Sequence, residues 1–198
     1  MDKIFTKNIE HESAVKHVTG KAIYTDDISE PKNLLHAVIG YSNCSKGVIK
    51  KIDYKDVLSS EGVVDIITEK DIEGINDVGP IFKGDKIFTS KNIEYYGQPI
   101  FAVIAKTNNL AKKAALKVKI DLKISKPIVS IEEALKKKSF VLKPKHLTRG
   151  NIKDGFKKSD NILKGKLYSG GQDHFYLEGQ IAMTIPQEDN NLLVYSST

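Results

Sequence analysis

The chain has 198 residues, 40% apolar and 28% charged with a net charge of +6 at pH 7, values of a soluble globular protein long enough to bury a core as one large domain or two small ones. All but one of its 31 basic residues are lysine, Arg149 being the exception, and they are spread along the chain in short clusters such as Lys136-Lys137-Lys138. Nucleic-acid recognition leans on the planar fork of arginine, so the composition argues for a solvated lysine surface and against a nucleic-acid partner.

From the N-terminus, residues 1–12 hold no apolar core of signal-peptide length and no later run approaches a membrane span; the expectation is a soluble cytoplasmic protein without a membrane partner. Lys16-His17-Val18-Thr19-Gly20-Lys21-Ala22 and Tyr24-Thr25-Asp26-Asp27-Ile28 read as an irregular entry with turns at the glycine and at the paired aspartates. Two adjacent acids without a third partner are turn-formers before they are metal ligands. Residues 34–39 are a short apolar run between Pro31 and Gly40, as a strand requires. Cys44 is the single cysteine, so no internal disulfide forms, and Asn43, Ser45 and Lys46 place it in a polar turn with no partner to activate it. Residues 54–60 have helical character, Gly62 stands where a C-terminal cap belongs, and Val63-Val64-Asp65-Ile66-Ile67 is strand-like.

The same order recurs later. Residues 99–104 form a strand, Thr107 can cap a helix from Asn108 to about Lys117, and residues 118–124 alternate as another strand. The two strand-helix-strand halves flank an insert, residues 68–98, with turn signals at Gly79-Pro80 and Gly84-Asp85 and a short strand over 92–96. This gives an α+β domain. Beyond Pro127, Ser130 and Glu133 have capping-box spacing for a short helix to about Lys138, and residues 143–150 read as an exposed linker. A small helix over 151–160, a strand over 162–168 and a hairpin of 181–185 with 192–195 complete the pattern. With so little to bury, these last elements are expected to begin a second domain that is unfinished at Thr198.

The chemically densest window is Gly170-Gly171-Gln172-Asp173-His174-Phe175-Tyr176-Leu177-Glu178-Gly179-Gln180. Two glycines allow a tight or left-handed turn, and the following amide, imidazole and carboxylates suit a polar ligand or a metal-bound oxygen. The plainer reading is that His174 and Glu178 satisfy each other and the backbone.

In order along the chain, Val18-Thr19-Gly20-Lys21-Ala22 with Tyr24-Thr25-Asp26-Asp27-Ile28, Gly62-Val63-Val64 with Ile67-Thr68 and Asp71-Ile72, Tyr96-Gly97-Gln98-Pro99-Ile100, Arg149-Gly150-Asn151 and the dense window resemble the molybdenum-binding subunit of the xanthine dehydrogenase and aldehyde oxidoreductase family. The resemblance implies an α/β hammerhead domain over residues 1–142, a linker over 143–150, and the incomplete beginning of a molybdopterin-binding domain over 151–198. It also implies that Gln172 contacts the molybdenum-molybdopterin cofactor, donating its amide hydrogen bond to an oxygen on molybdenum, a neutral contact that orients without ligating. His174 and Glu178 match supporting positions of the motif, and Asp173 stands where the family usually has Glu.

Members of the family hydroxylate a purine, a related heterocycle or an aldehyde with oxygen from water, passing electrons to iron-sulfur clusters and FAD on partner domains or subunits. Their general base is a glutamate in a later glycine-rich motif that this sequence does not contain, so no catalytic residue and no metal ligand is expected among these 198 residues and the chain alone should be inactive. The alternative is a stand-alone, non-catalytic hammerhead module for subunit assembly or ligand binding.

Overall fold

The computed structural model describes residues 10–197, so the part of the signal-peptide reading that falls on residues 1–9 lies outside the described residues. In chain order the elements are α1 (Ala14–Val18), β1 (His36–Tyr41), β2 (Gly47–Asp53), α2 (Lys55–Leu58), β3 (Val63–Ile67), β4 (Asn92–Ile93), β5 (Pro99–Ala105), α3 (Asn108–Ala115), β6 (Lys119–Ile124), α4 (Ile131–Lys136), α5 (Ile152–Lys158), β7 (Ala182–Pro186) and β8 (Leu192–Ser196). The chain divides into two compact units: Lys32–Gly150, and a second whose described part is residues 10–31 with 151–197. The entry segment 10–31 therefore clusters with the C-terminal stretch and not with the strands that follow it.

The larger unit holds two antiparallel three-stranded sheets, ordered β1-β5-β3 and β4-β2-β6. β5 is central because Ile100, Phe101, Ala102 and Val103 are apolar on both faces and all four are buried. β6 alternates, with Ile120 and Leu122 against the core and Lys119, Asp121 and Lys123 exposed. Thr107 opens α3 as expected, its Oγ1 accepting the Leu110 N–H at 3.3 Å. α3 buries Ala111 and Ala114 against β1 and β5, small residues that let the helix approach closely. Val57, Ile93, Ile49 and Cys44 close the same core.

Gly62 leads into β3 at φ 73°, a left-handed conformation, and a Cβ there would meet Leu110 Cδ1 at 2.5 Å. Gly62→Ala is therefore expected to cost about 1–3 kcal/mol from backbone strain and overpacking together, read as a lower urea midpoint with unchanged slope.

Tyr54 meets Phe101 edge-on, ring centroids 5.2 Å apart at 70°. Burial, and secondarily the Asp71 charge, push its phenol up from 10.0 to about 12. The folded state thus holds this proton where the unfolded chain releases it: the contribution is fully present below the unfolded value and is lost as pH rises through the folded one. Between about pH 10 and 12, wild-type stability should fall more steeply than that of Tyr54→Phe, the lysine titrations being common to both.

Residues 47–53 add a strand, β2, with a register irregularity between Ile49 and Lys51. Three expectations are corrected. Residues 16–22 are not wholly irregular: α1 forms and Gly20, at φ 69°, ends it as Lys21 N–H bonds the Lys16 carbonyl at 2.8 Å. Residues 162–168 are not a strand, for no other strand pairs with them and Leu163 and Leu167 are exposed. Cys44 lies in a turn between β1 and β2 but points into the core, 8% exposed. Residues 143–150 are exposed and without regular structure. Among the described residues no helix is long and apolar enough to cross a membrane.

Candidate functional site

The motifs that gave the resemblance divide sharply by what they do in the structure. In Tyr96-Gly97-Gln98-Pro99-Ile100, Gln98 is buried and its Oε1 accepts the Glu94 N–H at 2.8 Å, while Ser42 Oγ accepts the Gln98 N–H at 3.1 Å. Thr68 donates through its N–H and its hydroxyl to Asp71 Oδ2 at 2.7 and 2.8 Å, which holds the Asp71 carboxyl below its ordinary value. Asp27 Oδ2 accepts the Tyr24 N–H at 2.9 Å, so this aspartate forms a turn. These residues satisfy the backbone at bends.

The dense window belongs to the smaller unit and is built differently. It has no helix or strand, and Gln172, Asp173, His174 and Tyr176 are exposed. Asp173 Oδ1 accepts the Phe175 N–H at 3.4 Å, and Phe175 takes φ 51°, so the left-handed residue is an aromatic and not one of the two glycines in front. A bulky side chain in that region costs roughly 1–2 kcal/mol. His174 and Tyr176 lie with parallel rings 5.5 Å apart. The plainer pairing of His174 with Glu178 does not occur: Glu178 Oε1 instead accepts the Thr25 N–H at 2.7 Å, a link no local pattern signals.

Glu178 also borders a cavity of about 530 Å³ with His17, Tyr24, Tyr176, Leu177 and Ser197. His17 Nδ1 and Tyr24 Oη are hydrogen-bonded at 3.1 Å there. Gln172 does not line this cavity. In the larger unit, a cavity of about 650 Å³ lined by Val38, Phe101, Leu116 and Leu122 contains none of the residues expected to act.

Among the described residues no three His, Cys, Asp or Glu side chains are grouped to hold a metal ion. What the window does offer is an exposed carboxamide, Gln172, that makes no hydrogen bond to the described residues. Such an amide fits one hydrogen-bonded contact to a polar cofactor that is held elsewhere, and it does not fit the role of a ligand.

Two antiparallel three-stranded sheets, whose strands alternate between them along the chain, match the α/β hammerhead expected of the larger unit. Residues 19–126 match the family described as aldehyde oxidase and xanthine dehydrogenase, a/b hammerhead domain, and residues 132–198 match the molybdopterin cofactor-binding domain. The chain belongs to the aldehyde oxidase and xanthine dehydrogenase family. It is 38% identical over 193 residues to the xanthine dehydrogenase of Dictyostelium discoideum and 38% identical over 192 residues to aldehyde oxidase 2 of Rattus norvegicus, covering 98% and 96% of this chain. It spans only 14% of the length of either relative. The aldehyde oxidoreductase of Desulfovibrio gigas superposes with a TM-score of 0.80 at 27% identity, over 94% of this chain and 23% of that one.

Proposed function

We propose that this sequence is the hammerhead and opening molybdopterin-binding portion of a cytoplasmic molybdenum hydroxylase subunit that hydroxylates a purine, a related heterocycle or an aldehyde with water-derived oxygen, in the purine case as a step of purine catabolism. The reading is supported above all by the succession, within one chain, of a hammerhead match and a molybdopterin-binding match. The larger unit shapes the assembly and supplies no reacting group. Gln172 contacts the cofactor through its amide, donating from a side chain that is exposed and bonded to nothing else among the described residues. The bound molybdenum-molybdopterin supplies the oxidative chemistry, and iron-sulfur clusters and FAD on partner domains or subunits accept the electrons. By itself the 198-residue chain is inactive, because the glycine-rich motif bearing the general base is not in its sequence.

The test is the intact mass and molybdenum content of the polypeptide bearing this sequence, purified from its native cells. A chain several times larger than 22.0 kDa that carries molybdenum supports the proposal. A 22.0 kDa chain without the metal overturns it and leaves a non-catalytic hammerhead module for subunit assembly or ligand binding.

A further inference from the structure

We infer that Glu178 is a positioning residue for Gln172, clasping the segment that carries the amide to the turn at residues 24–28. The meaning of Gln172 rests on the function proposed above; the clasp itself does not. Among the described residues, the window 170–180 makes one hydrogen bond to a distant part of the chain, from Thr25 N–H to Glu178 Oε1 at 2.7 Å. Thr25 opens a single 3-10 turn, Thr25–Asp27, and the first amides of such a turn have no partner within it. An ionised carboxylate is the strongest acceptor a side chain can offer such an amide.

The turn is a firm base for this contact. Asp27 Oδ2 accepts the Tyr24 N–H at 2.9 Å, and the Tyr24 carbonyl accepts the Asp27 N–H at 3.0 Å, closing the turn on itself. Glu178 is half-buried in a window whose other members are exposed. Among the described residues, the hydrogen bond nearest Gln172 is the local one between Phe175 N–H and Asp173; His174 and Tyr176 stack on each other, and the next long-range hydrogen bond is at Ile181, whose carbonyl accepts the Ser197 N–H at 3.2 Å. The direction in which the Gln172 amide points is thus passed along the backbone from Glu178, through the left-handed bend at Phe175.

The experiment is amide exchange and nitrogen-15 relaxation on the 198-residue chain as wild type, Glu178→Ala, Glu178→Gln and Glu178→Met. In the wild type the Thr25 amide is protected. Glu178→Ala raises its exchange rate on the order of tenfold or more and increases nanosecond motion from Gly171 to Tyr176, while the β7–β8 ladder keeps its protection. Glu178→Gln, which keeps a carbonyl acceptor, restores most of both, whereas Glu178→Met, which keeps length and bulk without an acceptor, does not, a contrast that loss of packing alone would not show. An unprotected Thr25 in the wild type overturns the clasp, and unchanged relaxation at Gln172 in Glu178→Ala overturns the positioning. Should Glu178→Ala fail to fold, wild-type protection at Thr25 and the behaviour of Glu178→Gln decide the matter. Every arm is read without molybdenum, so failure here leaves the proposed function standing, and a metal-free 22.0 kDa native chain would leave the clasp standing.

Discussion

Phe101→Ala is expected to lower the unfolding free energy of the larger unit by about 3–5 kcal/mol, with a fall in Tm on the order of 10 °C. Phe101 is 1% exposed on the central strand β5, and its ring is held on one side by Tyr54. On the neighbouring strand it faces Gly40, its direct partner in the β1–β5 ladder, where a Cβ would run into the ring atoms. A glycine opposite an aromatic means that β1 has no side chain to fall into the space the ring leaves, so collapse is limited and the cost belongs in the upper part of the range. Urea unfolding followed by far-UV circular dichroism measures it. A loss below about 1 kcal/mol would show that the ring is peripheral and that the core is centred elsewhere.

What could be read before the structure was whatever is encoded locally. β5, Thr107, α3 and β6 follow one another with a hydrophobic run, a cap, a helical period and an alternation, and each signal lies within or next to the element it specifies. The pairing is another matter. β1 pairs with β5 and β2 with β6, so the two expected strand-helix-strand halves are interleaved across the insert, and no local pattern encodes a partner that far along the chain. Over β2 the consecutive Lys50 and Lys51 break the period-two signal, and the register irregularity between Ile49 and Lys51 accommodates them in the ladder. Residues 162–168 show the converse: a short stretch with apolar residues at both ends, Ile162-Leu163 and Leu167-Tyr168, does not become a strand where no described strand pairs with it. Cys44 lies among polar neighbours, yet the crossing from β1 to β2 turns it inward. At the candidate site, the motif singles out Gln172 and the structure places it on an exposed segment, whereas the Glu178–Thr25 hydrogen bond joins residues 153 apart and could only come from coordinates.

If the proposed function holds, Gln172→Ala in the molybdenum-loaded native protein is expected to lower kcat by about 10- to 100-fold while leaving molybdenum content and Tm unchanged. Stability should be indifferent because the side chain is exposed and bonded to no described residue, and such surface positions usually move stability by less than about 0.5 kcal/mol. Under the proposed cofactor contact turnover should not be indifferent, because such an amide would contribute through direction, and alanine removes the donor without altering net charge. Glu at the same position sharpens the test. It preserves length but offers an ionised acceptor where a donor is needed, so Gln172→Glu should fall below Gln172→Ala, an order that a purely steric role would reverse. Unchanged turnover in both variants would sink the cofactor contact; a drop in Tm in the alanine variant would instead show that the amide is tied into the fold. The separation of kcat from KM carries the mechanistic content: a contact to the cofactor acts on the chemical step and leaves substrate affinity nearly untouched.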